Sequence, residues 1–388
     1  MGDDSPCSTL SRPAPAGRAF VFRAAAVLLV VLAGAGLWHI SNLIVAMLTS
    51  NVGPIDPDSA LRSPRRPDGP RVPPIYVETS RGIRLRRLMD AEIVDPISNR
   101  RVRFQTNALG MRGGDVLPKQ PGVTRILVLG DSITLGAYVE ESETYPALVQ
   151  ESLRRDGSHC EVLNGGLAGA ALATELELLL ETGLLVQPDV VLVGLFLNDA
   201  SASAFFAPPE GVLADSPIVQ RLTARRLAYD LAEQGQARWE RLSGRPFPEK
   251  PLDAEAWRTD RATFEFEVAS AMSDWGVAWF DWAWDRMGAE LEAMKELSAQ
   301  HGFQLLVALF PVKYQVEAEF VEDTPQRHFA ATLGRLSIPA CDLLPALREA
   351  YRENRARGLI YDHCHLTPAG YEVVAPVLAR FVLDRISS

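Results

Sequence analysis

The chain has 388 residues, 47% hydrophobic and 23% charged, with a formal net charge of −10. That length can bury one large or two moderate cores, and an acidic balance without a basic, aromatic-interleaved patch excludes a general nucleic-acid binder. Four cysteines (Cys7, Cys160, Cys341 and Cys364), none in a Cys-x-x-Cys pair, exclude a disulfide scaffold and argue against structural zinc.

In chain order, residues 1–23 are small and polar and read as a cytoplasmic tail. An apolar stretch over 24–48 follows, with Arg12, Arg18 and Arg23 before it and no further arginine until Arg62. This pattern is expected of a single-pass transmembrane signal anchor, N-terminus inside, with the body exported to a periplasmic or extracellular space. The rival reading is a secretory signal peptide cleaved after Ala33-Gly34-Ala35, leaving a secreted body. Residues 49–75 carry Pro54, Pro57, Pro64, Pro67, Pro70, Pro73 and Pro74 and read as a linker. Arginines crowd from Arg62 to Arg103, read as a solvated, partly neutralised approach rather than a patch for anionic lipid or acidic polysaccharide.

A folded domain is expected over 76–388. Strand patterns fall at Arg125–Gly130, Glu161–Asn164, Val190–Phe196, Gln304–Phe310 and Ser337–Cys341. Helical spacing occupies 142–155, 172–185, 316–334, 343–356 and 368–386. Strands alternating with helices predict a parallel sheet covered on both faces. An insertion over about 200–300 holds six of the seven tryptophans, weighed as the core of a helical subdomain rather than the wall of a substrate groove.

Gly130-Asp131-Ser132 closes the first strand of that sheet and leads into a helix. Ser132 therefore stands at the carboxyl rim, where open α/β sheets place ligands, and can serve as a nucleophile if a base lies in reach. Among six histidines, His363 and His365 lie in the loop before the last helix, on the same rim. Asp362 stands three residues before His365 and can turn its carboxylate onto the imidazole, whereas Ile360 stands three before His363. Gly166, ending the second strand, and Asn198, ending the third, can supply oxyanion donors beside the Ser132 N–H. A metal site from His363, Cys364 and His365 is disfavoured, because adjacent side chains on so short a stretch rarely converge on one ion.

These residues resemble the SGNH (GDSL) hydrolase family. Gly130-Asp131-Ser132-Ile133-Thr134 is similar to its first block, Gly166 to the glycine of the second, Asn198-Asp199 to the third, and Asp362-His363-Cys364-His365 to the Asp-x-x-His of the fifth. The resemblance covers about 104–386 apart from the insertion. It implies a three-layer α/β fold with a five-stranded parallel sheet in flavodoxin-like order. It also implies Ser132, Asp362 and His365 as the triad, and no metal or organic cofactor. Phe196 departs from the pattern, standing where the third block usually has glycine. Thr106-Asn107-Ala108-Leu109-Gly110-Met111-Arg112 looks like the lead-in of some exported bacterial members, and Gln315 lies in a segment similar to one near their site. Asn107, Arg112, Phe196 and Gln315 are thus candidates for substrate binding, with Asn107 and Arg112 equally read as pinning their segment to the sheet. In the flavodoxin-like order Cys341 and Cys364 fall on one side of the sheet, within reach of a bridge that would brace His365. The expected activity is a membrane-anchored, exported serine ester hydrolase acting on an O-acyl ester of a glycan or lipid. The alternatives are an O-acyltransferase of envelope polysaccharide and a non-catalytic carbohydrate-binding descendant.

Overall fold

The computed structural model describes residues 75–79, 82–94, 100–200 and 235–386. The strands are β1 (Tyr76–Thr79), β2 (Gly82–Leu85), β3 (Asp90–Val94), β4 (Arg101–Gln105), β5 (Thr124–Gly130), β6 (Cys160–Gly166), β7 (Val190–Phe196), β8 (Gln304–Phe310) and β9 (Ala340–Asp342). The helices are α1 (Ser132–Leu135), α2 (Tyr145–Arg155), α3 (Leu172–Leu178), α4 (Gly235–Ser243), α5 (Arg261–Ser270), α6 (Asp281–His301), α7 (Lys313–Glu317), α8 (Thr324–Leu336), α9 (Leu344–Glu353) and α10 (Pro368–Ile386).

β7 is buried along its whole length, and β5 and β8 are buried in all but their first residue. A parallel strand covered on both faces has no solvent side, so its sequence is a continuous apolar run rather than an alternation. The five strands β6-β5-β7-β8-β9 pair in that order, all parallel. This is the expected flavodoxin-like order, and it places the turn after β5 at the switch point between its neighbours. Helices α2, α9 and α10 pack together over one face, while α3, α6 and α8 pack over the other.

The register accounts for the shape of the rim. Gly166, Gly130 and Gly194 pair across β6, β5 and β7, forming one row of glycines at the carboxyl ends. A Cβ at Gly130 would overlap the Thr134 hydroxyl. One at Gly194 would collide with the Tyr145 hydroxyl, and one at Gly166 would lie 2.8 Å from the Leu135 Cα. The missing side chains let α1 sit directly on the sheet.

Two antiparallel hairpins, β1–β2 and β3–β4, precede the sheet and were not foreseen. They enclose a second small core with Phe104, Val102, Leu135 and Leu167. Their arginines are paired: Arg84 with Glu181, Arg100 with Glu143, Arg101 with Glu92 and Arg103 with Asp90. The neutralised reading of that arginine crowd therefore holds for these four. In the insertion, Trp239, Trp257, Trp275 and Trp284 are buried core, and Trp275 stacks on Tyr314 with centroids 5.3 Å apart.

One expectation is corrected. Among the described residues no helix is long and apolar enough to cross a membrane. The anchor placed at 24–48, the alternative cleavage site and the linker before residue 75 lie outside the described residues. The membrane-anchored, exported placement is therefore withdrawn.

Candidate active site

The nucleophile turn begins with Asp131, whose carboxylate accepts a hydrogen bond from the Ile133 N–H (2.8 Å) and caps α1. Ser132 is the first residue of that helix. Its own N–H finds no acceptor among the described residues. The carbonyl oxygens at the other end of the turn are all taken by side chains from distant elements. Tyr371 on α10 donates to Ile133 O (2.7 Å), and Asn164 on β6 donates to Thr134 O (2.9 Å). Arg112 donates to Leu135 O (2.6 Å), to Gly136 O and to Val139 O (2.6 Å). The serine is held from below by this set.

The base arrives on the loop between α9 and α10. Asp362 Oδ1 accepts from both the Cys364 and the His365 backbone N–H groups, each at 2.9 Å. That turn brings Oδ2 to 2.6 Å from His365 Nδ1. His365 Nε2 then lies 2.8 Å from Ser132 Oγ. The spacing of three residues is what this geometry needs, since the carboxylate binds the backbone ahead of it while bonding the imidazole. Burial works to raise the Asp362 pKa, but the bonds from His365 and the two N–H groups hold it well below the usual carboxylate range. With Asp362 ionised, Nδ1 keeps its proton and Nε2 is left as an acceptor facing the serine. The Tyr138 ring stands edge-on to His365 at 4.7 Å and sets one wall for it. Asp131 is pushed up to about 6 by burial, against the opposing pull of the Ile133 N–H and His365.

Asn198 is brought to the same rim by the turn after β7. Asp199 fixes that turn, its Oδ2 accepting from the Phe196 N–H (2.8 Å) and its N–H donating to Phe196 O (3.0 Å). Asn198 is half-buried, with its Oδ1 buried and without a hydrogen-bond partner among the described residues. Gly166 does not match its expected role. Its N–H donates to Asn164 Oδ1 (3.0 Å), and its lack of a side chain is explained by the close seat of α1. The exposed backbone of that loop lies at Gly169, which turns the chain at φ +72°.

The four candidates for substrate binding are all buried. Asn107 is buried, its Oδ1 accepting from the Leu109 and Met111 N–H groups and its Nδ2 donating to Gly114 O. It folds the loop that delivers Arg112, which is itself buried with its guanidinium over the Phe104 ring at 4.8 Å. Gln315 is buried and exchanges hydrogen bonds with Gln326. Phe196 is buried in β7. All four support the fold around the site.

Sequence reasoning missed Tyr138, Asn164 and Asp274. Asp274, from the insertion, stands 3.5 Å from His363 Nε2, so His363 ties the insertion to the catalytic loop. No local pattern marks Asp274, because its partner lies about ninety residues away. Cys160, Cys341 and Cys364 are all free thiols, so the Cys341–Cys364 bridge that the strand order allows is not formed. The Cys364 Sγ lies 3.6 Å from His365 Nδ1 instead.

No family model and no curated protein matches the chain. Among solved structures, it is similar to the acetyl xylan esterase AlAXEase at 15% identity, covering 68% of this chain and 99% of that one, TM-score 0.36. A catalytic mutant of Axe2, an acetylxylan esterase from Geobacillus stearothermophilus, aligns at 15% identity over 69% of this chain and 96% of that one, TM-score 0.39. A lipolytic protein of the G-D-S-L family from Desulfitobacterium hafniense aligns at 14% identity over 66% and 99%, TM-score 0.36. At these scores the likeness speaks to neither substrate nor activity, and the chemistry rests on the distances above.

Proposed function

We propose that the chain is a serine ester hydrolase in which Ser132, His365 and Asp362 act as the triad. The observation that carries this is the unbroken hydrogen-bond path from Ser132 Oγ through His365 to Asp362, at 2.8 and 2.6 Å. Ser132 Oγ attacks the ester carbonyl while Nε2 takes its proton. Asp362 balances the imidazolium charge that forms, without itself being protonated. The Ser132 N–H and the Asn198 amide donate to the oxyanion. His365 then returns the proton to the leaving alcohol, and a water activated in the same way by Nε2 releases the acyl group.

A turn this heavily supported suits a nucleophile, since a misplacement of about 1 Å costs on the order of 10² in rate. A carbohydrate-binding descendant has no need of an aligned serine, imidazole and carboxylate. The test is turnover of p-nitrophenyl esters and labelling by a fluorophosphonate. Ser132→Ala is expected to lose the label and to drop turnover by about 10⁴–10⁶. Labelling that persists in the variant would refute the assignment.

A further inference from the structure

The turn that builds the base also gathers three metal-binding atoms. A carboxylate oxygen of Asp362, the Sγ of Cys364 and the Nδ1 of His365 lie within 4.8 Å of one another. Along an extended chain such neighbours diverge. Here the two backbone bonds to Asp362 Oδ1 curl the segment, so that residues 362, 364 and 365 converge.

The spacing fits a tetrahedral ion. With Zn–S about 2.3 Å and Zn–N about 2.0 Å, the two ligand atoms stand about 3.5 Å apart; Sγ and Nδ1 are 3.6 Å apart. The Asp362 oxygen sits 2.6 Å from Nδ1 as a hydrogen-bond partner. A small rotation of the carboxylate, opening that gap by less than about 1 Å, completes the third ligand. One thiolate, one imidazole and one carboxylate favour zinc and its neighbours over magnesium or calcium, which prefer all-oxygen sites. The side chains of His365 and Asp362 are 14% and 31% exposed, while Cys364 is buried behind them.

We propose that Asp362, Cys364 and His365 form a binding site for a thiophilic divalent cation of the zinc class, and that its occupation switches the hydrolase off. The switch rests on the Ser132–His365–Asp362 reading; the binding site does not. As the Zn–S bond forms, the thiol proton leaves to solvent. The ion takes the Nδ1 lone pair, so the single imidazole proton moves to Nε2. Nε2 then faces Ser132 as a donor and has no lone pair to accept the serine proton. The ion also occupies the carboxylate that balanced the imidazolium.

The test uses the metal-free full chain, with cobalt(II) as the spectroscopic probe and zinc(II) for activity. One equivalent of cobalt should give a thiolate-to-cobalt charge-transfer band together with tetrahedral d–d bands. Zinc should displace cobalt, bleach the bands and abolish ester turnover, and EDTA should restore it. Cys364 takes no part in the proton path, so Cys364→Ala should keep turnover while losing both the bands and the zinc sensitivity. Cys364→Ser, closer in shape, repeats the measurement if the alanine variant melts early. Absence of the charge-transfer band in the wild type, or a band or zinc inhibition that survives in Cys364→Ala, overturns the proposal. Bands in a chain that turns over no ester would defeat the hydrolase reading and leave the metal site standing; an active enzyme without bands would do the reverse.

Discussion

At the scale of single residues, Asp362 and the two histidines beside it divide their tasks by where each backbone bond falls. Asp362 Oδ1 is spent on the Cys364 and His365 N–H groups, which leaves Oδ2 for the imidazole. His365 alone reaches Ser132. His363 turns the other way, toward Asp274, and its carbonyl accepts from the Lys313 N–H at 2.8 Å. That carbonyl bond survives any side-chain change. His365→Ala is therefore expected to cost about 10⁴–10⁶ in kcat. His363→Ala should keep turnover of a small ester such as p-nitrophenyl acetate within about tenfold of the wild type. Kinetics showing His363→Ala as the more damaging change would reverse the assignment of the base.

At the scale of elements, the short helix α1 has four residues and too few internal bonds to hold its own shape. Its geometry is imposed from outside, by the glycine row beneath it and by Tyr371, Asn164 and Arg112 on its carbonyl end. Arg112 is the only one of the three that bonds more than one carbonyl. Burial holds its pKa down to about 10, and the aligned carbonyls at the helix end provide the compensating negative potential. A lysine could reach one of those oxygens but not the set, because its ammonium is a point rather than a fork. Arg112→Lys should lower stability by about 1–3 kcal/mol. It should slow fluorophosphonate labelling and kcat by roughly 10- to 100-fold with KM little changed. A variant that melts early but labels at the wild-type rate would show that Arg112 serves the fold alone. The sequence made part of this legible. Ser132, His365 and Asp362 stand at strand ends or at a diagnostic spacing, so local pattern marks them. A glycine at a strand end, such as Gly166, is compatible with either close approach or an offered N–H. Only the observed contacts with Leu135 and Asn164 separate the two. Asn107, Arg112 and Gln315 are polar and lie near the site in sequence order, but all three are buried, and a sequence carries no mark of which polar residues go inside.

At the scale of the whole molecule, the five parallel strands were legible because burial on both faces leaves an unbroken apolar run. The hairpins were not, since their arginine-rich composition masked a clear alternation: Arg101–Gln105 runs exposed, buried, exposed, buried, half-buried. Composition also hid a set of carboxylates in the main core. Glu175, at the start of α3, and Asp199, after β7, are fully buried, and both Glu175 oxygens and Asp199 Oδ1 have no hydrogen-bond partner among the described residues. Burial raises both groups well above the usual carboxylate range. Their mutual repulsion, together with that of Asp131 and Glu290, raises them further. A carboxyl whose folded pKa is raised holds its proton in the native state at a pH where the unfolded chain has lost it. Its contribution to stability is present below the unfolded value near 4 and is lost as pH rises toward the folded value. Each such group removes on the order of 1 kcal/mol of stability per pH unit across that window. Glu175→Gln keeps the shape and removes the titration. Its melting temperature should therefore exceed that of the wild type at pH 8, with the gap closing as the pH is lowered to about 4. Melting curves collected across that range by circular dichroism decide the matter. A gap that stays constant with pH would mean that the Glu175 carboxyl titrates alike in the folded and unfolded chain, and so is not held protonated by its burial.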